Sequence, residues 1–262
     1  MLKKLLILIC SILLLSGCIN NNQNSTQIKT QINIENIDVK DILSMGYYAN
    51  SLGYVNVKKL SNTPLSQTLV YVLAPVYKLG VKQEDINYVI SMKVNNTPIL
   101  LYSINKEIII TTSQVGKYNG VDIYKSGDVY LSVYDNYLII STNQKGVELG
   151  ILSLNNNKIK KEFEDILKYT DKSYDALNTF VNKTLNVTYN NKTYNLKMMC
   201  YFEGVNLNNN ILYDKLIIAF NNKTAADIAY NITLNQAKNN TKNMNISKIG
   251  NVLIITSKSQ LK

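Results

Sequence analysis

Two-residue turns set between short apolar runs constrain this chain more than any other feature. Asn95-Asn96, Asp135-Asn136 and Asn191-Lys192 each separate two segments of strand-like pattern. So short a connection joins only antiparallel neighbours, since a parallel pair needs a crossover of a dozen residues or more. The expected class is therefore α+β: mainly antiparallel sheets with packed helices, in two similar α/β-sandwich-like halves. Parallel βαβ lobes around a cleft are disfavoured by the same turns.

Hydrophobic period places the elements. Leu52 to Val57 alternates as a strand. Asn62-Thr63-Pro64 then offers a cap and a first-turn proline, and Leu65, Leu69, Val72, Val76 and Leu79 follow at helical spacing up to Gly80. Tyr88 to Val94 and Ile99 to Ile104 read as a hairpin. Residues 121–142 read as three short strands broken at Ser126-Gly127 and Asp135-Asn136, with a helix from Lys145 to Leu154 behind them. Phe163, Ile166 and Leu167, then Tyr174, Leu177, Phe180 and Val181, recur at helical spacing. Strands are expected at 184–190, 193–204, 211–220, 243–248 and 251–257, with a helix from Thr224 to Ala237.

An internal repeat runs through this pattern. Residues 100–106 align with 217–223, and residues 134–142 with 249–257; each pair is an apolar strand beside an asparagine or a tight turn. The repeat bears on Lys106 to Val115. Its Ile108-Ile109-Ile110 favours strand by propensity, whereas its repeat partner, Thr224 to Gln236, favours helix. An asparagine precedes each as a cap, which leans both towards helix.

The first residues set location. Lys3 and Lys4 precede an apolar run from Leu5 to Leu15, and Leu15-Ser16-Gly17-Cys18 closes it with small residues before a cysteine. As a helix that run is about 16 Å long at about 1.5 Å per residue, well short of the ~30 Å hydrocarbon core. It reads as an export signal over residues 1–17 with a lipobox. The alternative is an uncleaved anchor from Leu2 to Ile19. Similarity to lipoprotein signals implies a thioether lipid on Cys18 and a protein held at the outer face of the cytoplasmic membrane. Polar, low-complexity sequence follows, so residues 18–40 are expected to be an anchored tether, with α+β units at 41–157 and 158–262.

Composition narrows the chemistry. There is no histidine, which removes Ser-His-Asp and Cys-His catalysis and zinc-histidine sites. Of 3 cysteines, Cys10 leaves with the signal and Cys18 carries lipid, so Cys200 has no disulfide partner and no cluster for zinc. The net charge of +10 suits an anionic lipid surface or an acidic envelope polymer; no dense basic patch points to nucleic acid. No glycine-rich phosphate loop or esterase elbow occurs. The expectation is no catalytic residue, no metal, no cofactor and no enzyme.

Gly53-Tyr54-Val55-Asn56-Val57-Lys58-Lys59-Leu60, Leu79-Gly80-Val81-Lys82-Gln83-Glu84-Asp85-Ile86 and Tyr118-Asn119-Gly120-Val121-Asp122-Ile123-Tyr124 carry a resemblance. Over residues 45–155 the chain resembles exported, membrane-tethered proteins of the DUF3352-like group. That resemblance implies a fold style and a location, and supplies no catalytic residues.

Two kinds of surface site remain. Asn-X-Ser/Thr acceptors occur at Asn24, Asn95, Asn182, Asn186, Asn191, Asn222, Asn231, Asn239 and Asn245, with the crowding at Asn182, Asn186 and Asn191 the best candidates for glycan. Tyrosines number 19 against no tryptophan. Tyr130 and Tyr134 fall on one face of a strand, with Tyr124 and Tyr137 on its neighbours. Such a face can meet a glycan or an envelope protein, or pack against a helix. The function expected is a non-catalytic binding or structural module; a solute-binding lipoprotein of a transporter is the alternative.

Overall fold

In the computed structural model the described residues are 37–237 and 243–261, with the backbone of Thr26–Gln27. Cys18 lies outside them, as do Asn24 and Asn239.

The hairpin argument holds throughout. Strands β1 (Thr26–Gln27), β2 (Ser51–Asn56), β3 (Ile86–Val94), β4 (Thr97–Ile104), β5 (Ile109–Ile110), β6 (Ser113–Tyr118), β7 (Val121–Ser126), β8 (Val129–Tyr134), β9 (Tyr137–Ser141), β10 (Ala176–Tyr189), β11 (Lys192–Asn208), β12 (Ile211–Phe220), β13 (Met244–Ile249) and β14 (Val252–Gln260) pair antiparallel. Apart from the short β1–β5 pair they form one 12-stranded sheet, in the order β13-β14-β12-β11-β10-β2-β3-β4-β9-β8-β7-β6. Asparagine makes the turns: Asn95, Asn96, Asn190, Asn191, Asn209 and Asn210 all hold positive φ, as two-residue hairpins demand. The β10–β11 turn is Asn190-Asn191, one residue earlier than the sequence suggested.

Helices cover both faces. On one face α1 (Val39–Met45), α4 (Gln144–Leu154) and α5 (Lys161–Leu167) enclose a core that draws on both halves, including Tyr54, Ile90, Leu101, Ile139, Phe202 and Ile217. On the other, α2 (Val57–Leu60) and α3 (Ser66–Tyr77) cover Val55, Val89, Leu100 and Tyr102, and α6 (Lys223–Ala237) covers Ile218, Phe220 and Leu253. Close approach shapes α4. A Cβ on Gly146 would fall 1.9 Å from Ser141 Oγ, and one on Gly150 2.6 Å from Ile139 Cγ2, so only glycine lets this helix sit on β9.

The two halves share one sheet and are related by a pseudo-twofold axis. Gly53 stands opposite Asn178 where β2 meets β10, and the flanking pairs match: Leu52 with Thr179, and Tyr54 with Leu177. Asn56 N donates to Asp175 O at 2.8 Å, and Val181 N donates to Asn50 O at 3.1 Å. Outward from this axis the order reads β2-β3-β4-β9-β8 on one side and β10-β11-β12-β14-β13 on the other. Even the register breaks agree. One falls between Ile86 and Tyr88 against Ile104 and Ser103, the other between Met198 and Cys200 against Phe220 and Ala219. The repeated block 134–142 and 249–257 is matched residue for residue: Ile104 N donates to Asn136 O, and Phe220 N to Asn251 O. The other block is one residue out, since Ile104 takes the place of Phe220. Uniformly apolar strands can slide by one position without changing their pattern.

Four expectations need correction. Lys106 to Val115 is not a helix: Ile109–Ile110 and Ser113–Tyr118 are strands. The cap signal misleads there, because Asn105 Nδ2 donates to Glu84 O across the sheet at 3.1 Å. Leu177, Phe180 and Val181 lie in β10, not in a helix. Their spacing of three and four arises because Leu177 and Val181 face one core while Phe180 faces the other. The helix expected from Pro64 begins at Ser66. The folded part starts before Asp41, since Ile37 and Val39 are buried in the first core, and Thr26–Gln27 pairs with Ile109–Ile110 within the stretch read as tether.

One residue redirects the second half. Asn182 holds φ 53°, and the left-handed kink reverses the alternation of β10. Beyond it Leu185 and Val187, with Leu196 and Tyr194 opposite them on β11, turn towards the core beneath α6, as does Met198.

Candidate functional site

The structure does not gather the four tyrosines on one open surface. Tyr124 pairs with Leu131 and is 2% exposed, on the face opposite to Tyr130 and Tyr134. Tyr137 stands opposite Tyr134 and shares its face, yet is buried. Its hydroxyl hydrogen-bonds that of Tyr88, whose ring lies 5.6 Å from Tyr54 at a tilt. Tyr130 and Tyr134 are half-buried against the first core. Tyr134 OH donates to Asn155 Oδ1 at 2.9 Å, tying the strand to the end of α4, and Lys125 Nζ sits 5.3 Å over the Tyr130 ring. Burial pushes the phenols of Tyr54 and Tyr137 well up and raises that of Tyr88. They stay neutral at any ordinary pH, so their part is packing and hydrogen bonding.

Beside them lies a buried polar knot at the β3 register break. Asn87 Nδ2 donates to Ser103 Oγ at 3.2 Å and Asn136 Nδ2 reaches the same oxygen at 3.5 Å. In the second half Asn251 Nδ2 donates to Phe220 O at 2.6 Å. These amides hold hairpin ends in both halves, with Asn87 and Asn136 buried and Asn251 half-buried.

Asn182, Asn186 and Asn191 are all exposed on the β10–β11 hairpin. Asn182 Nδ2 donates to Glu162 Oε1 at 3.2 Å, so that amide has a partner on α5. Asn186 stands opposite Asn195 in the ladder, and Asn191 occupies the turn with φ 59°. Asn95, Asn222, Asn231 and Asn245 are exposed as well. Asn222 Oδ1 accepts from Ala225 N at 2.8 Å, the cap that the sequence anticipated for this helix.

Cys200 is fully buried. Burial pushes its thiol up to about 12, against the smaller opposing effect of the hydrogen bond with Thr179, so little thiolate exists near neutral pH. The most buried carboxylate among the described residues is Asp175, 6% exposed at its side chain. It accepts from Leu207 N at 2.8 Å and meets Lys59 Nζ at 3.0 Å, joining α2 of the first half to the second. Among the described residues no three His, Cys, Asp or Glu side chains are grouped to hold a metal ion, and no helix is long and apolar enough to cross a membrane.

Sequence reasoning missed the exposed apolar positions. Helix α3 buries Leu69, Val72, Leu73 and Val76 and leaves Val70 52% and Tyr71 56% exposed, with Tyr77 also outward. The signal was there: Leu69 to Tyr77 is apolar all round, more than one buried face requires. Met244 and Ile249, at the ends of edge strand β13, are exposed as well, as are Ile109 on β5 and Val115 on edge strand β6.

No protein-family model matches this chain, and no curated protein is significantly similar to it. Solved structures do match. Crystal form IV of TP0453 aligns with a TM-score of 0.50 at 12% identity, covering 86% of this chain and 93% of that one. Crystal forms I and III give TM-scores of 0.48 and 0.49 at 15% and 14% identity. At such identity the likeness is one of fold.

Proposed function

We propose that this chain is an exported lipoprotein, cut before Cys18, lipidated there and acting by contact rather than by catalysis. The observation that carries this reading is Leu15-Ser16-Gly17-Cys18 after a basic and apolar leader. A domain so anchored stays near the bilayer: from Cys18 to Thr26 an extended chain reaches at most about 28 Å at ~3.5 Å per residue. Contact is favoured over chemistry because the chain has no histidine and its buried thiol is held protonated. The exposed asparagines of β10–β11 supply polar, glycan-accepting surface. A solute-binding lipoprotein would call for parallel crossovers around a cleft, whereas the described strands pair antiparallel.

The test is the intact mass of the protein extracted from its own membranes, with peptide mapping at the N-terminus. A chain starting at a lipid-bearing Cys18 supports the proposal. A chain still starting at Met1 overturns the lipid anchor and leaves the uncleaved segment as the attachment. Hexose-type mass on peptides containing Asn182, Asn186 or Asn191 would identify used acceptors.

A further inference from the structure

The sheet ends in two edges of different character. Edge strand β6 is blunted by a register break between Gln114 and Gly116, by Gly116 itself, and by Lys117, which pairs with Asp122 at 3.3 Å. Breaks and charges are what keep an edge from pairing with another chain. Edge strand β13, Met-Asn-Ile-Ser-Lys-Ile, shares only the ion-paired lysine with β6. It contains no proline, glycine or register break, and its one charge, Lys248, is turned onto Asp227 of α6. Among the described residues it has a neighbour, β14, on one side only.

The pseudo-twofold axis shows what such an edge does elsewhere in the same molecule. The counterpart of β13 in the first half is β8, and there the outer edge is covered: β7 pairs antiparallel with it through Tyr124–Leu131, Lys125–Tyr130 and Ser126–Val129. A second precedent is the axis itself, where β2 and β10, equivalent strands of the two halves, pair edge to edge about Gly53 and Asn178.

We propose that β13 is a self-association edge, on which a second copy of this chain adds its own β13 antiparallel about a twofold axis. The strand is complementary to itself. In the register centred on Ile246, Met244 lies across from the partner's Lys248, and Asn245 across from the partner's Ser247. No like charges meet, and exposed Met244 gains the aliphatic stem of a lysine. An isologous contact of this kind closes at two copies. A 6-residue strand pair buries less than the roughly 1,200 Å² of a standard stable interface, so association is expected at micromolar concentration or weaker.

The test is sedimentation velocity of the full chain in density-matched detergent over about 1–100 µM, with hydrogen exchange of β13 amides at both ends of the range. The expected result is a monomer–dimer transition accompanied by slower exchange in residues 244–249. Asn245→Lys combined with Ser247→Lys sets like charges opposite one another in registers centred on Ile246 or Ser247, and should weaken the dimer at least tenfold. Asn245→Gln with Ser247→Thr should leave it unchanged. Circular dichroism of the lysine variant checks that the monomer is folded; if it is not, the exchange comparison on the natural chain decides. A chain that stays monomeric throughout overturns the proposal, as does a dimer whose β13 amides exchange alike at both concentrations. None of these outcomes depends on whether Cys18 carries lipid.

Discussion

Replacing Gly204 with alanine should destabilise the protein by about 1–6 kcal/mol. An added Cβ would stand 2.4 Å from Tyr174 Cε1, 2.5 Å from Cδ1 and 2.6 Å from Cζ. Carbon atoms rest at about 3.5–4.0 Å, so the ring must retreat by roughly an ångström. It has nowhere to go. Tyr174 is 2% exposed, its ring centroid lies 5.3 Å from that of Phe202, and its hydroxyl accepts from Asp171 N at 2.9 Å. Overpacking a filled core costs about 1–3 kcal/mol, and breaking the part-buried hydrogen bond to the Tyr174 hydroxyl adds about 1–3 kcal/mol. The stiffer unfolded chain returns up to about 1 kcal/mol. Urea unfolding followed by circular dichroism measures the loss, and the melting temperature should fall by about 2–24 °C at roughly 2–4 °C per kcal/mol. Tyr174→Leu in the same chain should recover part of it, since the smaller side chain leaves room for the Cβ. The reasoning fails if Gly204→Ala stays within about 0.5 kcal/mol of the natural protein, or if it costs as much beside Leu as beside Tyr.

Three further outcomes are expected. Asn182→Ala should cost about 1–2 kcal/mol for its left-handed backbone, while Asn182→Gly should be close to neutral; equal losses in urea unfolding would mean that the kink at φ 53° is not what matters. Cys200, buried and with its thiol pushed up to about 12, should resist alkylation in the folded protein and react in urea, and mass spectrometry showing fast labelling without denaturant would contradict its burial. Asp85 should contribute on the acid side. Burial raises its carboxyl, but the hydrogen bond from Lys106, 2.9 Å away, and that from Lys82 N outweigh burial and hold it below its usual value. A depressed carboxyl stabilises fully above the unfolded value of about 4 and loses that contribution as pH falls through the folded value. Asp85→Asn should therefore flatten the loss of stability below about pH 4, and an unchanged acid profile would refute this.

Local chemistry was legible wherever it was decided locally. The turn at Asp135-Asn136 separates β8 and β9 as read, the β7–β8 turn is Gly127-Asp128, one residue later than read, and Asn143 and Asn222 cap α4 and α6 close to where pattern placed them. The tyrosine strands were harder. Alternation correctly put Tyr130 and Tyr134 on one face, but which face is open depends on α1, α4 and α5 arriving from distant parts of the chain. The run from Leu177 to Val181 failed for a related reason, because a strand buried on both faces has no empty side to reveal its period.

The sequence by itself determined the antiparallel class, most of the turns, the capped helices and the absence of histidine chemistry, because each follows from residue identity or from residues within a few positions of one another. Only the tertiary structure decided that both halves share one sheet, that their axis runs between Gly53 and Asn178, that Ile108-Ile109-Ile110 joins strand rather than helix, and that β13 is left as an edge. Those outcomes depend on pairing between strands far apart in the chain, and a β-branched or apolar run has the same local appearance whichever partner it finds.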